Sequence, residues 1–487
     1  MNFTSVDLTL SSFVARRAFP GASALIADST GVLHTVAVGR LTYDPSSPLV
    51  DVTSTLFDIA SLTKVTATTT VAMLLYQWGA LKLDEKIAEA FGPEFTATDV
   101  RKASITVADL LTHSAGLPPD PTPACYCTPQ FACPETLAHP PSERKLTFSC
   151  QSQVLAQLNA QTLDRPPRAK FVYSDISMLL LKFVLGRLAR PYVSPSELRP
   201  DCTASERHGP SVAPPDEAVI AGIDQCYFGA FARKFIFRKL ARTARAHSPL
   251  LTRGTRSRQR PLDGKLGGTL DETLDGTLGG TLDASTGRAA ARAPFMGFLP
   301  PAPLWAFVAP TWNDTAEGFP GECVEPYRER VLQGEVSDGN AFSLGGVAGH
   351  AGVFASAPSL HGLMHELLFA PEASPATETV LGINRTTARL FTTVVNSSFS
   401  SRALGWDTNQ PGGYLGCGRM PAATFTHTGY TGTLLCGDPQ TRGGLITVLL
   451  TNRVYPHADA QSSQAIHEAR QAFNNAVLDA VVGGGVR

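Results

Sequence analysis

Ser61 and Lys64 stand three residues apart in Ser61-Leu62-Thr63-Lys64, at the head of a stretch rich in helix formers and apolar residues that runs to Trp78. On a helix this spacing puts both side chains on one face, within reach of each other. A buried lysine loses hydration of its ammonium, which lowers its pKa and fits it to take the serine's proton. Amide N–H groups at the helix N-terminus can stabilise an oxyanion. This is the chemistry of a serine acyl hydrolase. The four-residue pattern alone is common, since Ser142-Glu143-Arg144-Lys145 also matches it. That second match lies in a Pro-flanked, charged segment with no apolar helix behind it and reads as a surface loop.

Two further groups can join Ser61. Tyr173-Ser174-Asp175 ends an extended stretch after Pro166 and Pro167, just before an apolar helical run from Ile176, and offers a phenol and a carboxylate. By itself it also fits a capped helix start. His427-Thr428-Gly429 ends an expected strand, with a glycine that permits close backbone approach.

The elements that must position these groups follow from hydrophobic pattern. Residues 23–27 and 33–38 read as a hairpin around Ser29-Thr30-Gly31. The run 61–78, with Val71, Leu74, Leu75 and Trp78 at helical spacing and Gly79 to stop it, reads as a buried helix. Residues 83–91, 107–111 and 176–188 read as further helices. Residues 424–427, 433–436 and 445–450 read as strands, and 464–481 as a final amphipathic helix. The pattern predicts a mixed α/β (α+β) fold: an antiparallel sheet formed from both chain ends, flanked by helices, with a helical insertion subdomain. Residues 1–84 and 295–487 then form a composite sheet domain carrying Ser61, Lys64 and His427, and 85–190 a mainly helical subdomain carrying Tyr173. Residues 191–294 are left as irregular insertions, with a basic run over 233–260 and a Leu-Asp/Gly repeat over 262–283.

The three motifs, in this order, resemble the serine β-lactamase and penicillin-binding-protein superfamily, most of all its class C-like branch of β-lactamases, D-alanyl-D-alanine peptidases and esterases. That branch carries S-x-x-K, then Y-x-N, then K-T-G or H-T-G. The stretches 57–64 (FDIASLTK), 110–117 (LLTHSAGL), 345–354 (GGVAGHAGVF), 427–433 (HTGYTGT) and 449–456 (LLTNRVYP) add to the likeness. It covers roughly 19–117, 170–188 and 295–481. The resemblance implies that Ser61 is acylated, that Lys64 and Tyr173 share proton transfer, and that the N–H groups of Ser61 and Tyr430 form the oxyanion hole. Asp175, His427, Thr428, Gly429 and Tyr430 would then line the substrate site, with no cofactor and no metal.

Two positions depart from the commoner pattern. Asp175 stands where asparagine is usual, and a carboxylate beside Lys64 favours its ammonium form and shifts the base role toward Tyr173. His427 stands where many members have lysine, and a neutral imidazole holds a substrate carboxylate less firmly. The expectation is therefore an esterase or amidase acting on a small ester, amide or peptide. A D-alanyl-D-alanine carboxypeptidase or a β-lactamase is the alternative, and a non-catalytic scaffold of the same fold is the alternative of another class. His350 reads as a packed histidine or one standing behind the site, and His113 as structural.

A net charge of -1 gives no electrostatic reason to expect nucleic acid as partner, and the basic run reads as a solvated insertion. No apolar run approaches the roughly 20 residues of a membrane span. Residues 1–19 lack a basic segment followed by an apolar core, so no secretory signal is expected and the chain leans toward the cell interior. Nine cysteines, an odd and sparse set, do not indicate a disulfide scaffold. Cys125-Tyr126-Cys127 lacks the spacing of a zinc site.

Overall fold

The computed structural model describes residues 1–121, 148–199, 217–246, 295–314, 328, 330–369, 379–411, 413 and 415–483. Among these, a six-stranded sheet has the order β2-β1-β9-β8-β7-β6, with β1 Gly21–Asp28, β2 Gly31–Gly39, β6 Asp407–Thr408, β7 Phe425–Thr428, β8 Leu434–Asp438 and β9 Leu445–Thr451. Every neighbouring pair is antiparallel. The sheet closes where β1 pairs with β9, Ala24 opposite Leu449, so both chain ends contribute to one sheet. A small second sheet, β3-β5-β4, joins Phe57–Asp58 to Val353–Ala355 and Met296–Phe298.

Helices cover both faces of the large sheet. On one face lie α1 (Thr4–Ala15) and a long C-terminal helix at Ala460–Val482, whose Ile466, Ala469, Phe473 and Val477 are buried with Val6, Leu10 and Phe13. The residues 1–19, read above only as lacking a signal, therefore supply a packed helix. On the other face a π-helical turn, Lys64–Thr69, runs into α2 (Thr70–Gln77), and every residue from Lys64 to Leu75 is buried. Next to it packs α3 (Asp175–Ala189), whose Ser174 side chain caps the first turn by accepting from the Ser177 N–H. Between Leu83 and Phe91, where one helix is expected, only Ala88–Phe91 is helical.

The irregular insertion expected from residue 191 onward is corrected in part. Residues Glu217–Ala232 form α4, followed by a π turn at Arg233–Phe237 and α5 at Arg238–Ala246. Phe228, Phe231, Ile236, Phe237 and Leu240 are buried in the main core. The basic residues 233–242 thus occupy the outer side of an amphipathic helix, which a count of charges alone does not reveal. The rest of the basic run, the whole Leu-Asp/Gly repeat and the Cys125 to Cys133 group lie outside the described residues. Cys417 and Cys436 form a disulfide, and Cys226 is disulfide-bonded as well, pairings that the sparse cysteine spacing did not announce. No helix among the described residues is long and apolar enough to cross a membrane.

Candidate active site

Asp58 builds the turn that presents Ser61. It is fully buried, and its two carboxylate oxygens accept the Ala60 N–H at 2.9 Å and the Ser337 N–H at 2.7 Å. These bonds hold Ala60 in the left-handed region, φ 46°, a conformation uncommon outside glycine. The chain is thereby turned so that Ser61 enters the helix at its first residues. The motif carrying His427 is fastened to the same turn from the other side: the Thr431 hydroxyl donates to the Asp58 carbonyl at 2.7 Å and the Thr433 hydroxyl to that of Ile59 at 3.1 Å. A Cβ on Gly429 would collide with the Ile59 carbonyl and the Thr433 hydroxyl. Glycine is required there because two backbones touch.

Lys64 lies at the centre, with no solvent exposure. Its Nζ donates to Ser61 Oγ at 2.8 Å and to the His350 carbonyl at 3.3 Å, and forms an ion pair with Asp175 at 2.7 Å. Tyr173 flanks it, the ring centroid 4.8 Å from Nζ. Burial would lower the lysine's pKa, but the Asp175 carboxylate and then Tyr173 outweigh it and raise the pKa above the usual lysine value. Lys64 is therefore an ammonium at neutral pH, not the neutral amine that burial alone would give.

His427 is buried and stacks obliquely near Tyr173, ring centroids 6.2 Å apart. Burial, then the charges of Arg402 and Lys64, push its pKa well below the usual histidine value, so it is neutral. Nδ1 lies 2.9 Å from the Thr428 carbonyl, which can only accept, so Nδ1 carries the hydrogen. Nε2 is left as a buried lone pair without a partner. His113 also packs against Tyr173, ring centroids 4.7 Å apart, and its Nδ1 accepts from the Ser174 N–H at 3.2 Å, which ties the Tyr173 segment to the core. Neither the Ser61 nor the Tyr430 amide N–H donates to another group among the described residues. The Tyr430 carbonyl is held by Arg453 Nε at 2.8 Å.

The structure thus brings Ser61, Lys64, Tyr173, Asp175, His427 and the Thr428-Gly429-Tyr430 turn into one place, and adds groups that motif reading passed over. Arg402, just before the edge strand β6, lies 5.4 Å from the Tyr173 ring centroid. One of its nitrogens reaches Asp407 at 3.2 Å, whereas Nε and Nη1 are buried without a partner. It belongs to no motif, so only the fold could place it here. Asp338 is the second addition, at 2.8 Å from His350 Nε2. Donor atoms of Asp175, Asp338 and His350 lie within 4.8 Å of one another, close enough to hold a cation. The Lys64 ammonium, 2.7 Å from Asp175, supplies one there.

The fold and this constellation are those of a serine hydrolase. The chain belongs to the Beta-lactamase family, whose model matches residues 6–197 and 283–471. A putative D-alanyl-D-alanine carboxypeptidase of Escherichia coli K12 is 25% identical over 466 residues, covering 93% of this chain and 83% of the relative. Among solved structures, a penicillin-binding-protein homologue from Caulobacter crescentus superposes with a TM-score of 0.55 at 16% identity, covering 97% of each chain. EstCE1, a hydrolase with promiscuous acyltransferase activity, does so with a TM-score of 0.55 at 17% identity, covering 96% of this chain and 99% of its own.

Proposed function

We propose that this serine hydrolase cleaves a small amide or ester through an acyl-enzyme on Ser61, and that its substrate carries a free carboxylate. The observation that supports the first part is Lys64, which donates to Ser61 Oγ at 2.8 Å while paired with Asp175 at 2.7 Å. A lysine held as an ammonium cannot accept the serine's hydrogen. It orients Oγ and stabilises the negative charge that grows there, and Tyr173 relays the proton in one concerted step: its oxygen takes the hydrogen leaving Oγ as its own hydroxyl hydrogen passes to the leaving group, so the phenol is regenerated. The unpaired N–H groups of Ser61 and Tyr430 receive the oxyanion.

Arg402 supports the second part. Neutral His427 alone would argue for uncharged substrates, as the sequence suggested. A guanidinium beside Tyr173, paired with Asp407 through one nitrogen but with its other two buried nitrogens lacking partners, brings hydrogen-bond donors and positive charge back to that end of the site. Buried unpaired donors are costly and favour an anionic ligand. A peptide ending in D-alanyl-D-alanine is the first such substrate to test, in keeping with the name of the Escherichia coli relative. Arg402→Ala should raise KM for the free-carboxylate peptide by roughly 10-fold or more, the scale of a charged hydrogen bond. It should change turnover of a neutral p-nitrophenyl ester far less. Equal losses on both substrates would remove the anchoring role.

A further inference from the structure

Behind the catalytic lysine lie two charged groups that the reaction outlined above does not use. His350 is fully buried, its carbonyl accepts from Lys64 Nζ at 3.3 Å, and its imidazole Nε2 meets Asp338 at 2.8 Å. Asp338 also caps the short helix Gly339–Ser343 through the Ala341 N–H at 2.8 Å, which fixes its direction. Gly349, next to His350, is pinned as well: the Thr68 hydroxyl donates to its carbonyl at 2.6 Å, and a Cβ there would strike the Met178 carbonyl of α3. The imidazole and the carbonyl of one rigidly held residue therefore address Asp338 and Lys64.

The groups facing His350 are Asp338, Asp175 and Lys64, with Asp58 acting on Asp338 from the nucleophile turn. Lys64 and Asp175 by themselves balance, and Asp338 adds an unmatched negative charge unless His350 carries a proton. Burial works against that proton, yet Asp338 and then Asp175 outweigh it and raise the histidine's pKa. Burial would raise Asp338, but the charge and hydrogen bond of His350 bring it down to about 2. The result is a cluster of two buried cations and two partly exposed anions in which each cation faces both carboxylates.

We propose that His350, held by Asp338, is a positioning residue for Lys64: the pair offsets the carboxylates around the lysine and keeps its ammonium directed at Ser61 rather than drawn back toward the acids. This rests on the reading of Ser61 as the acylated residue. Because the histidine's folded pKa is raised, its contribution is complete below about 6.5, the unperturbed value, and is lost as pH rises through the folded value.

The test compares wild type with His350→Gln, Asp338→Asn, Asp175→Asn and the Asp175→Asn/His350→Gln pair, following p-nitrophenyl ester hydrolysis and fluorophosphonate labelling from pH 5 to 9. Wild type should lose activity on an alkaline limb as His350 deprotonates, and His350→Gln should lower kcat by roughly 10-fold, with little change in KM, and abolish that limb. Adding Asp175→Asn should recover part of that loss, because the charge and its counter-charge leave together. Asp338→Asn, at a partly exposed position, should move the alkaline limb to lower pH, and it provides the same readout should His350→Gln not fold. Additive losses in the double variant, or unchanged pH midpoints in both His350→Gln and Asp338→Asn, would overturn the proposal. Labelling that persists in Ser61→Ala would instead overturn the acyl-enzyme reading, so the two failures are distinct.

Discussion

At the scale of single residues, the site depends on carboxylates whose environments differ. Asp58 has its pKa pushed up to about 6 by burial, despite accepting two backbone N–H bonds. A carboxyl whose folded pKa lies above its unfolded value stabilises the fold fully below about 3.8 and loses that contribution as pH rises through 6. Asp58→Asn should therefore gain on wild type by roughly 2 kcal/mol between pH 4 and pH 8, measured as the change in the difference of unfolding free energies. A difference that stays constant over that range would contradict the assignment. Ser61, Lys64, Tyr173 and His427 were legible in the sequence because their spacing and order carry them. Asp58, Asp338 and Arg402 were not, because each acts through contacts with residues remote in the chain, and no local pattern encodes those.

At the scale of elements, legibility followed periodicity. The first hairpin, the three last strands and the helices at Asp175–Ala189 and Ala460–Val482 are where alternation or a helical stripe places them. Arg233–Ala246 escaped because its basic residues read as part of a charged run, and Glu217–Ala232, apolar and without a basic residue, was passed over beside it, although Phe228, Phe231 and Leu240 supply the buried side. The residues 83–91 fail as one helix because the chain there is pinned in an extended bridge, Lys86 opposite Thr106. The strand end and the nucleophile turn form one unit through Gly429, Thr431 and Thr433. Gly429→Ala should accordingly destabilise the protein by about 1–3 kcal/mol, the usual cost of overpacking, and should slow acylation more than a surface substitution of equal stability cost. Melting curves with burst kinetics check this; normal acylation in a destabilised variant would separate the turn from the chemistry.

At the scale of the whole molecule, a sheet built from both chain ends and a helical layer meet at the buried lysine, so the two layers must dock for Ser61 and Asp175 to share it. Residues 247–292 lie outside the described residues, and on either side of them α5 packs against β4. Replacing 247–292 by a short Gly/Ser linker should leave ester hydrolysis within about 2-fold and the Tm within a few degrees. Starting the deletion at Arg242 instead should cost stability, since α5 continues to Ala246. The central claim is that Ser61 carries the acyl group, and intact-mass and peptide-mapping analysis after fluorophosphonate treatment tests it most directly. The account predicts a single adduct on the peptide containing Ser61, absent in Ser61→Ala; an adduct elsewhere, or equal labelling of Ser61→Ala, would contradict it.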